Sequence, residues 1–172
     1  IWENNGITTT FERVNYQLTG WIPDENGDTA LRLSGGAKAT INFMPFKSDS
    51  RSTGRTLEFE YAIRDVNNRN AIAVSCFNSN IGFQIKADTA IMRSEQTIVS
   101  CNYTDEEKIH VAFVIEPRTE YRLMSVYLNG VLSGVKQYPE NDNFQQGSDP
   151  VNIEIGSPYC SIDVYAIRSY NT

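Results

Sequence analysis

Histidine occurs once in the 172 residues, at His110. A serine–histidine–aspartate relay therefore has no spare candidate, and a metal site built on several imidazoles is excluded. Cysteine occurs three times, at Cys76, Cys101 and Cys160. An odd count at wide spacing is neither a disulfide framework nor a paired-thiolate zinc site. Long apolar runs are also missing. The longest is Val111 to Ile115, against the ~20 residues of a membrane-spanning helix, so no membrane insertion is expected. Basic clusters are absent: 15 Lys and Arg face 21 Asp and Glu, for a net charge of −6. Phosphate backbones are bound by clustered cations, so no nucleic-acid partner is expected. No internal repeat, no low-complexity tract and no sustained three-to-four apolar spacing of a helix is found.

Short runs of alternating residues are what the sequence does contain. In Leu57 to Arg64, Leu57, Phe59, Tyr61 and Ile63 fall on one face and Glu58, Glu60, Ala62 and Arg64 on the other. That is a strand with one buried and one wet side. Ala37 to Phe43 alternates likewise through Ala37, Ala39, Ile41 and Phe43. Ile72 to Phe77 and Gly82 to Ala87 read as a pair joined by Asn78-Ser79-Asn80. Ile109 to Glu116 is apolar on both sides, as expected of a central strand covered on each face. Leu123 to Leu128 meets Asn129-Gly130 before Val131, the strongest short hairpin signal. Val151 to Ile155 and Ile162 to Ile167 close the series. Thr104 to Glu107 has capping-box spacing and predicts one brief helical turn. With 40% hydrophobic and 21% charged residues, the pattern predicts an all-β fold, an antiparallel two-sheet β-sandwich of jelly-roll type over residues 1–172. The sequence begins at Ile1 with no basic-then-apolar leader, as expected of a fragment, a processed product or a module of a longer protein. The cysteines are expected as buried free thiols, fitting a reducing site of assembly. A Cys76–Cys101 bridge stays open if their strands are neighbours.

The order of motifs resembles the concanavalin A-like lectin/glucanase superfamily, in its laminin-G-like branch. The matching pieces are Thr29 to Gly36, Gly54-Arg55-Thr56-Leu57-Glu58-Phe59-Glu60, Ile109 to Ile115 with Val126-Tyr127-Leu128-Asn129-Gly130, Ile155-Gly156-Ser157, and Ile162 to Asn171. Phe11, Gly20-Trp21-Ile22, Asp28 to Ser34 and Arg168-Ser169-Tyr170-Asn171 look like modules of bacteriophage tail, baseplate and other virion structural proteins. That resemblance implies a concanavalin A-like sandwich on a virion, exposed after assembly. It implies adhesion to a host cell-wall or surface polysaccharide, and contacts with other virion subunits or with further copies of itself, often about a threefold axis. A secreted or cell-surface bacterial protein is the alternative setting, and a purely structural virion module the alternative function.

Three kinds of site are weighed. Glycosidases of the superfamily carry a strand with several carboxylates on one face. Here Glu58 and Glu60 share a face, but Thr56, Ala62 and Arg64 hold its other positions. Arg64 is expected to pair with Glu58 or Glu60, and His110 to face partly outward without a partner. No catalytic residue is assigned, and a glycoside hydrolase stands as the weakest alternative. Asp24-Glu25-Asn26-Gly27-Asp28 sets oxygen ligands at alternate positions, and laminin-G-like relatives often carry calcium. Asp24, Asn26 and Asp28 are thus the metal candidates for a structural ion, with no cofactor otherwise required. Sugars stack on flat rings while amides fix their hydroxyls. The loop aromatics Trp21, Tyr103, Tyr138 and Tyr159, with Asn141 and Asn143, are the expected glycan contacts.

Overall fold

Period-two alternation gives every described element. The structure is a computed structural model, and it describes residues 2–4, 6–15, 20–24, 26–43, 54–77, 81–94, 97–104, 107–139 and 152–171. None of these residues is helical. The strands are β1 (Trp2–Asn4), β2 (Ile7–Glu12), β3 (Gly20–Pro23), β4 (Thr29–Leu33), β5 (Lys38–Ile41), β6 (Arg55–Arg64), β7 (Ile72–Phe77), β8 (Ile81–Lys86), β9 (Thr89–Ser94), β10 (Thr97–Asn102), β11 (Ile109–Pro117), β12 (Tyr121–Leu128), β13 (Val131–Pro139), β14 (Ile153–Ile155) and β15 (Ser161–Asn171). They form an eight-stranded sheet, β1-β2-β5-β14-β7-β8-β9-β10, and a seven-stranded sheet, β13-β12-β11-β6-β15-β4-β3. The strand pairings are antiparallel, and the sheets form the sandwich that the alternation predicts.

The core lies between the sheets. Leu57, Phe59, Tyr61 and Ile63 of β6 point into it and are sealed from solvent. Phe83 of β8 crosses from the opposite sheet and meets Phe59 at 5.5 Å and Phe113 of β11 at 4.8 Å between ring centroids. Each such ring stabilises the fold by roughly 1.5–3 kcal/mol through burial. Two backbone positions fix the connections. Asn129 and Gly130 both have positive φ, 51° and 79°, which a two-residue hairpin turn between β12 and β13 requires. Gly156 has φ 122°, and a Cβ there would lie 2.1 Å from the Ala37 carbonyl oxygen. Only glycine lets the chain after β14 pass so close to its neighbour.

Two expectations need correction. β11 is central within its sheet, between β12 and β6, but it is not covered on both sides. Of its outward residues, Ala112 is buried and His110 and Val114 are half-buried, and among the described residues no third layer covers them. Its apolar character answers to flanking strands rather than to a second layer. Cys76 and Cys101 cannot join, because β8 and β9 lie between their strands. Three strand spacings are about 14 Å, twice the reach of a disulfide. All three cysteines are free and buried, and burial pushes the Cys76 thiol up to about 12. Asn78 to Asn80, and Asp105 and Glu106 of the expected helical turn, lie outside the described residues.

Candidate functional site

The outward face of the seven-stranded sheet carries most of the ordered charge, and a β-bulge arranges it. In β15, Val164 pairs with Tyr61 and Ala166 with Glu60, leaving Tyr165 as the extra residue. Asp163 and Arg168 are an odd number of positions apart, so an unbroken strand would set them on opposite faces. The bulge resets the phase and turns both outward.

Asp163 is the hub of the first cluster. Its carboxylate is almost wholly buried, at 4% exposure. Arg32 of β4 donates to it twice, from Nε at 2.6 Å and from Nη2 at 2.7 Å. Arg64 of β6 donates from Nε at 3.0 Å. A buried carboxylate needs such partners, and a forked guanidinium supplies two aligned bonds. Arg64 thus pairs with Asp163 and not with Glu58 or Glu60 as the sequence predicts. The bond to Asp163 raises the Arg32 pKa further.

The turn between β3 and β4 covers this hub. Asp24 Oδ1 accepts from the backbone amides of Asn26 at 2.8 Å and Asp28 at 2.9 Å. The Asp24 amide donates to the Asp28 carbonyl at 2.7 Å. These bonds hold the turn in one shape. Lys108, just before β11, reaches across and donates to Asp28 Oδ2 at 2.8 Å. Its ammonium sits 4.1 Å from the centre of the Tyr165 ring, a cation–π contact. The bond to Asp28 raises the Lys108 pKa. Burial, then the nearby Asp24 and Asp163 charges, raises that of Tyr165. Turn and hub together line a pocket of about 390 Å³, to which Ile22, Pro23, Asp24, Asn26, Arg32, Arg64, Lys108, Asp163 and Tyr165 contribute. Its size falls in the ~300–1,000 Å³ range of small-ligand sites.

A second cluster lies further along the same face. Arg168 Nη2 is 3.4 Å from Glu60 Oε2, and Nη1 is 3.8 Å from Glu58 Oε2. His110 Nε2 is 3.5 Å from Glu58 Oε2, so the histidine expected to lack a partner has one. Glu58 and Glu60 do share a face, bridged by one guanidinium.

The sequence-predicted ligand residues are dispersed. Trp21 stands 58% exposed on edge strand β3. Its ring lines an apolar cleft of about 220 Å³ between the sheets, with Phe11, Leu31 and Ile41, whereas its neighbour Ile22 faces the polar pocket. Tyr103 is half-buried; its hydroxyl donates to the Lys86 carbonyl, and its ring meets Tyr61 edge-on at 6.0 Å. Tyr159 is 52% exposed in the turn between β14 and β15. In β13 the backbone of Tyr138 pairs with that of Arg122 in β12. Asn141 and Asn143 lie outside the described residues. Asp24, Asn26 and Asp28 share the turn, where Asp24 Oδ1 accepts from two backbone amides and Asp28 Oδ2 from Lys108. No group of three His, Cys, Asp or Glu side chains gathers elsewhere among the described residues. Sequence reasoning overlooked Arg32, Lys108 and Tyr165 and gave Arg64 another partner. The signal for the bulge was available: Ile162, Val164 and Ile167 are all apolar, and the odd step from Val164 to Ile167 breaks the alternation.

No family model matches the sequence, and no curated protein sequence does. Solved structures do match in fold. A botulinum neurotoxin type C, whose passage into cells depends on interaction with two ganglioside molecules, is similar at TM-score 0.63 and 13% identity, over 95% of this chain and 43% of that one. The binding domain of botulinum neurotoxin DC in complex with SialylT is similar at TM-score 0.63 and 14% identity, over 95% and 42%. An alginate lyase of polysaccharide lyase family 7 is similar at TM-score 0.51 and 10% identity, over 89% and 82%. The chain spans less than half the length of the neurotoxin structures it matches.

Proposed function

We propose that this chain is a non-catalytic glycan-binding module, carried by a larger protein and directed at a cell-surface polysaccharide. The observation that carries the proposal is the pocket under the β3–β4 turn. Its charged side chains are held by one another before any ligand arrives, and its lining sets the Asp24 carboxylate and the Asn26 amide with Ile22 and Pro23. Placed polar groups next to an apolar surface are what a sugar ring needs. Fold neighbours that meet gangliosides or SialylT support a binding role by analogy. A lyase shares the fold as well. Against catalysis stands the state of Glu58 and Glu60, which share one arginine and are not among the residues lining the pocket. The motif resemblance favours a bacteriophage appendage as the setting, with a host wall polysaccharide as partner and other virion subunits as neighbours.

The test is retention of the labelled domain on intact Gram-positive cells and on their purified wall polysaccharides, with and without EDTA. Saturable retention, unchanged by EDTA, is expected. No retention on any wall fraction at concentrations that detect millimolar affinity would overturn the reading in favour of a structural module. Release of reducing ends would overturn its non-catalytic part.

A further inference from the structure

We infer that the apolar cleft between the sheets takes an acyl chain, so that the glycan met by this module carries a lipid. The inference rests on the glycan-binding reading and names the class of glycan. The two edges of the sandwich differ. Where β13 meets β10 the sheets are closed: a Cβ on Gly134 would lie 2.6 Å from Val99 and 2.8 Å from Cys101. At the other edge, β2 and β5 of one sheet and β3, β4 and β15 of the other part around the cleft of about 220 Å³. Its lining runs from Leu33, Ala39 and Ile155, each 3% exposed or less, to Trp21, which is 58% exposed, so it opens from the core to solvent. Among the described residues twelve line it, and of these only Thr9, Trp21 and Tyr165 carry a polar side-chain atom. A peptide laid there would bury amides and carbonyls that need partners. The edge strand alongside, β3, has four residues and ends in Pro23, which has no amide to donate. An alkyl chain brings no such need. An apolar cavity of ~150 Å³ takes up benzene, and on that scale this cleft holds roughly eight carbons. The cleft also adjoins the polar pocket. Trp21 and Ile22 are consecutive in β3 and turn to opposite sides, one to the cleft and one to the pocket, and Tyr165, the extra residue of the β15 bulge, lines both. A sugar in the pocket and an alkyl chain in the cleft are separated by one edge strand, and a glycolipid spans it.

The test measures affinity by calorimetry for methyl, butyl, hexyl, octyl and dodecyl glucosides below their micelle-forming concentrations, and retention on lipoteichoic acid beside its deacylated form. Affinity is expected to rise roughly fourfold for each added methylene and to level off beyond about eight carbons. The acylated polymer is expected to be held roughly tenfold more tightly than the deacylated one, or better. Ala39→Leu, which fills the cleft, is expected to lower the octyl-to-methyl affinity ratio roughly tenfold. Because a larger residue at a buried site can upset the fold, Trp21→Ala is the second variant, expected to lower the same ratio severalfold with the fold unchanged by circular dichroism. Leu132→Ser, exposed at the closed edge, is expected to leave the ratio as it is. Affinity independent of chain length, with the deacylated polymer retained, would overturn the lipid assignment and leave glycan binding standing. A chain-length dependence untouched by Trp21→Ala and by folded Ala39→Leu would take the alkyl chain out of the cleft and overturn the assignment likewise. Octanol binding as tightly as octyl glucoside would leave the sugar without a role and overturn the glycolipid. Failure of both polymers, with no retention on whole walls, would overturn glycan binding itself and this inference with it.

Discussion

Two clusters of charge share the outward face of the seven-stranded sheet and are built from the same residue types. They differ in what lies over them. Asp163 is buried under the β3–β4 turn and bonded by two arginines at 3.0 Å or less. Glu58 and Glu60 lie on the open face and meet Arg168 only at 3.4–3.8 Å. The first arrangement lines a pocket around a buried carboxylate; the second is a half-buried row of charges with longer contacts. Burial, and not the mere presence of carboxylates and arginines, separates a site from a surface.

The largest expected effect comes from the hub. Asp163→Asn leaves two guanidiniums facing each other without the shared anion. A loss of about 3 kcal/mol in urea denaturation is expected, at the low end for a buried pair because both arginines keep partial access to water. A loss under ~0.5 kcal/mol would erase the distinction between the clusters.

Alkali separates the charged face from the core. The Cys76 thiol is held at about 12 by burial, against 9.0 for the free group. Above pH 9 the unfolded chain sheds this proton and the folded chain does not. The contribution is therefore complete below pH 9 and is lost as pH rises toward 12, by up to ~1.4 kcal/mol per pH unit. Buried Tyr61, also raised, acts in the same direction at higher pH. Cys76→Ala is expected to flatten this limb in denaturation curves at pH 8 and 10. An unchanged limb would show that Cys76 is not its source.

Smaller changes follow from the exposed pairs. Lys108→Gln removes a surface ion pair and a cation–π contact, and up to ~1 kcal/mol is expected. Its main consequence is a loosened pocket rather than a weaker fold, read by comparing ligand affinity with the unfolding midpoint. Glu60→Gln touches only the open cluster, and a few tenths of a kcal/mol are expected. A larger loss would mean that this cluster is also structural.

The strands were legible because period-two alternation survives wherever one face is buried. Leu57 to Arg64 and the Asn129-Gly130 turn state their structure outright. The site was less legible for a specific reason. Arg32, Arg64, Lys108, Asp163 and Tyr165 come from four separate segments, and antiparallel pairing across the sheet brings them together. A bulge then shifts the phase of β15, so the faces of Asp163 and Arg168 cannot be read by counting twos. Aromatic loop residues drew attention by their chemistry, yet Tyr103 serves the edge of the core. Asp24 and Asp28 drew attention as cation ligands, and the sequence did not show that their oxygens also shape a turn and hold Lys108.

Amide chemical-shift mapping of the ¹⁵N-labelled domain, titrated with soluble fragments of wall polysaccharide, addresses the pocket directly. Shifts centred on Ile22, Asp24, Asn26, Arg32, Asp163 and Tyr165, with Glu58, Glu60 and Arg168 unmoved, are expected. Shifts confined to the open cluster, or none at saturating sugar, would contradict the pocket as the place where this protein meets its ligand.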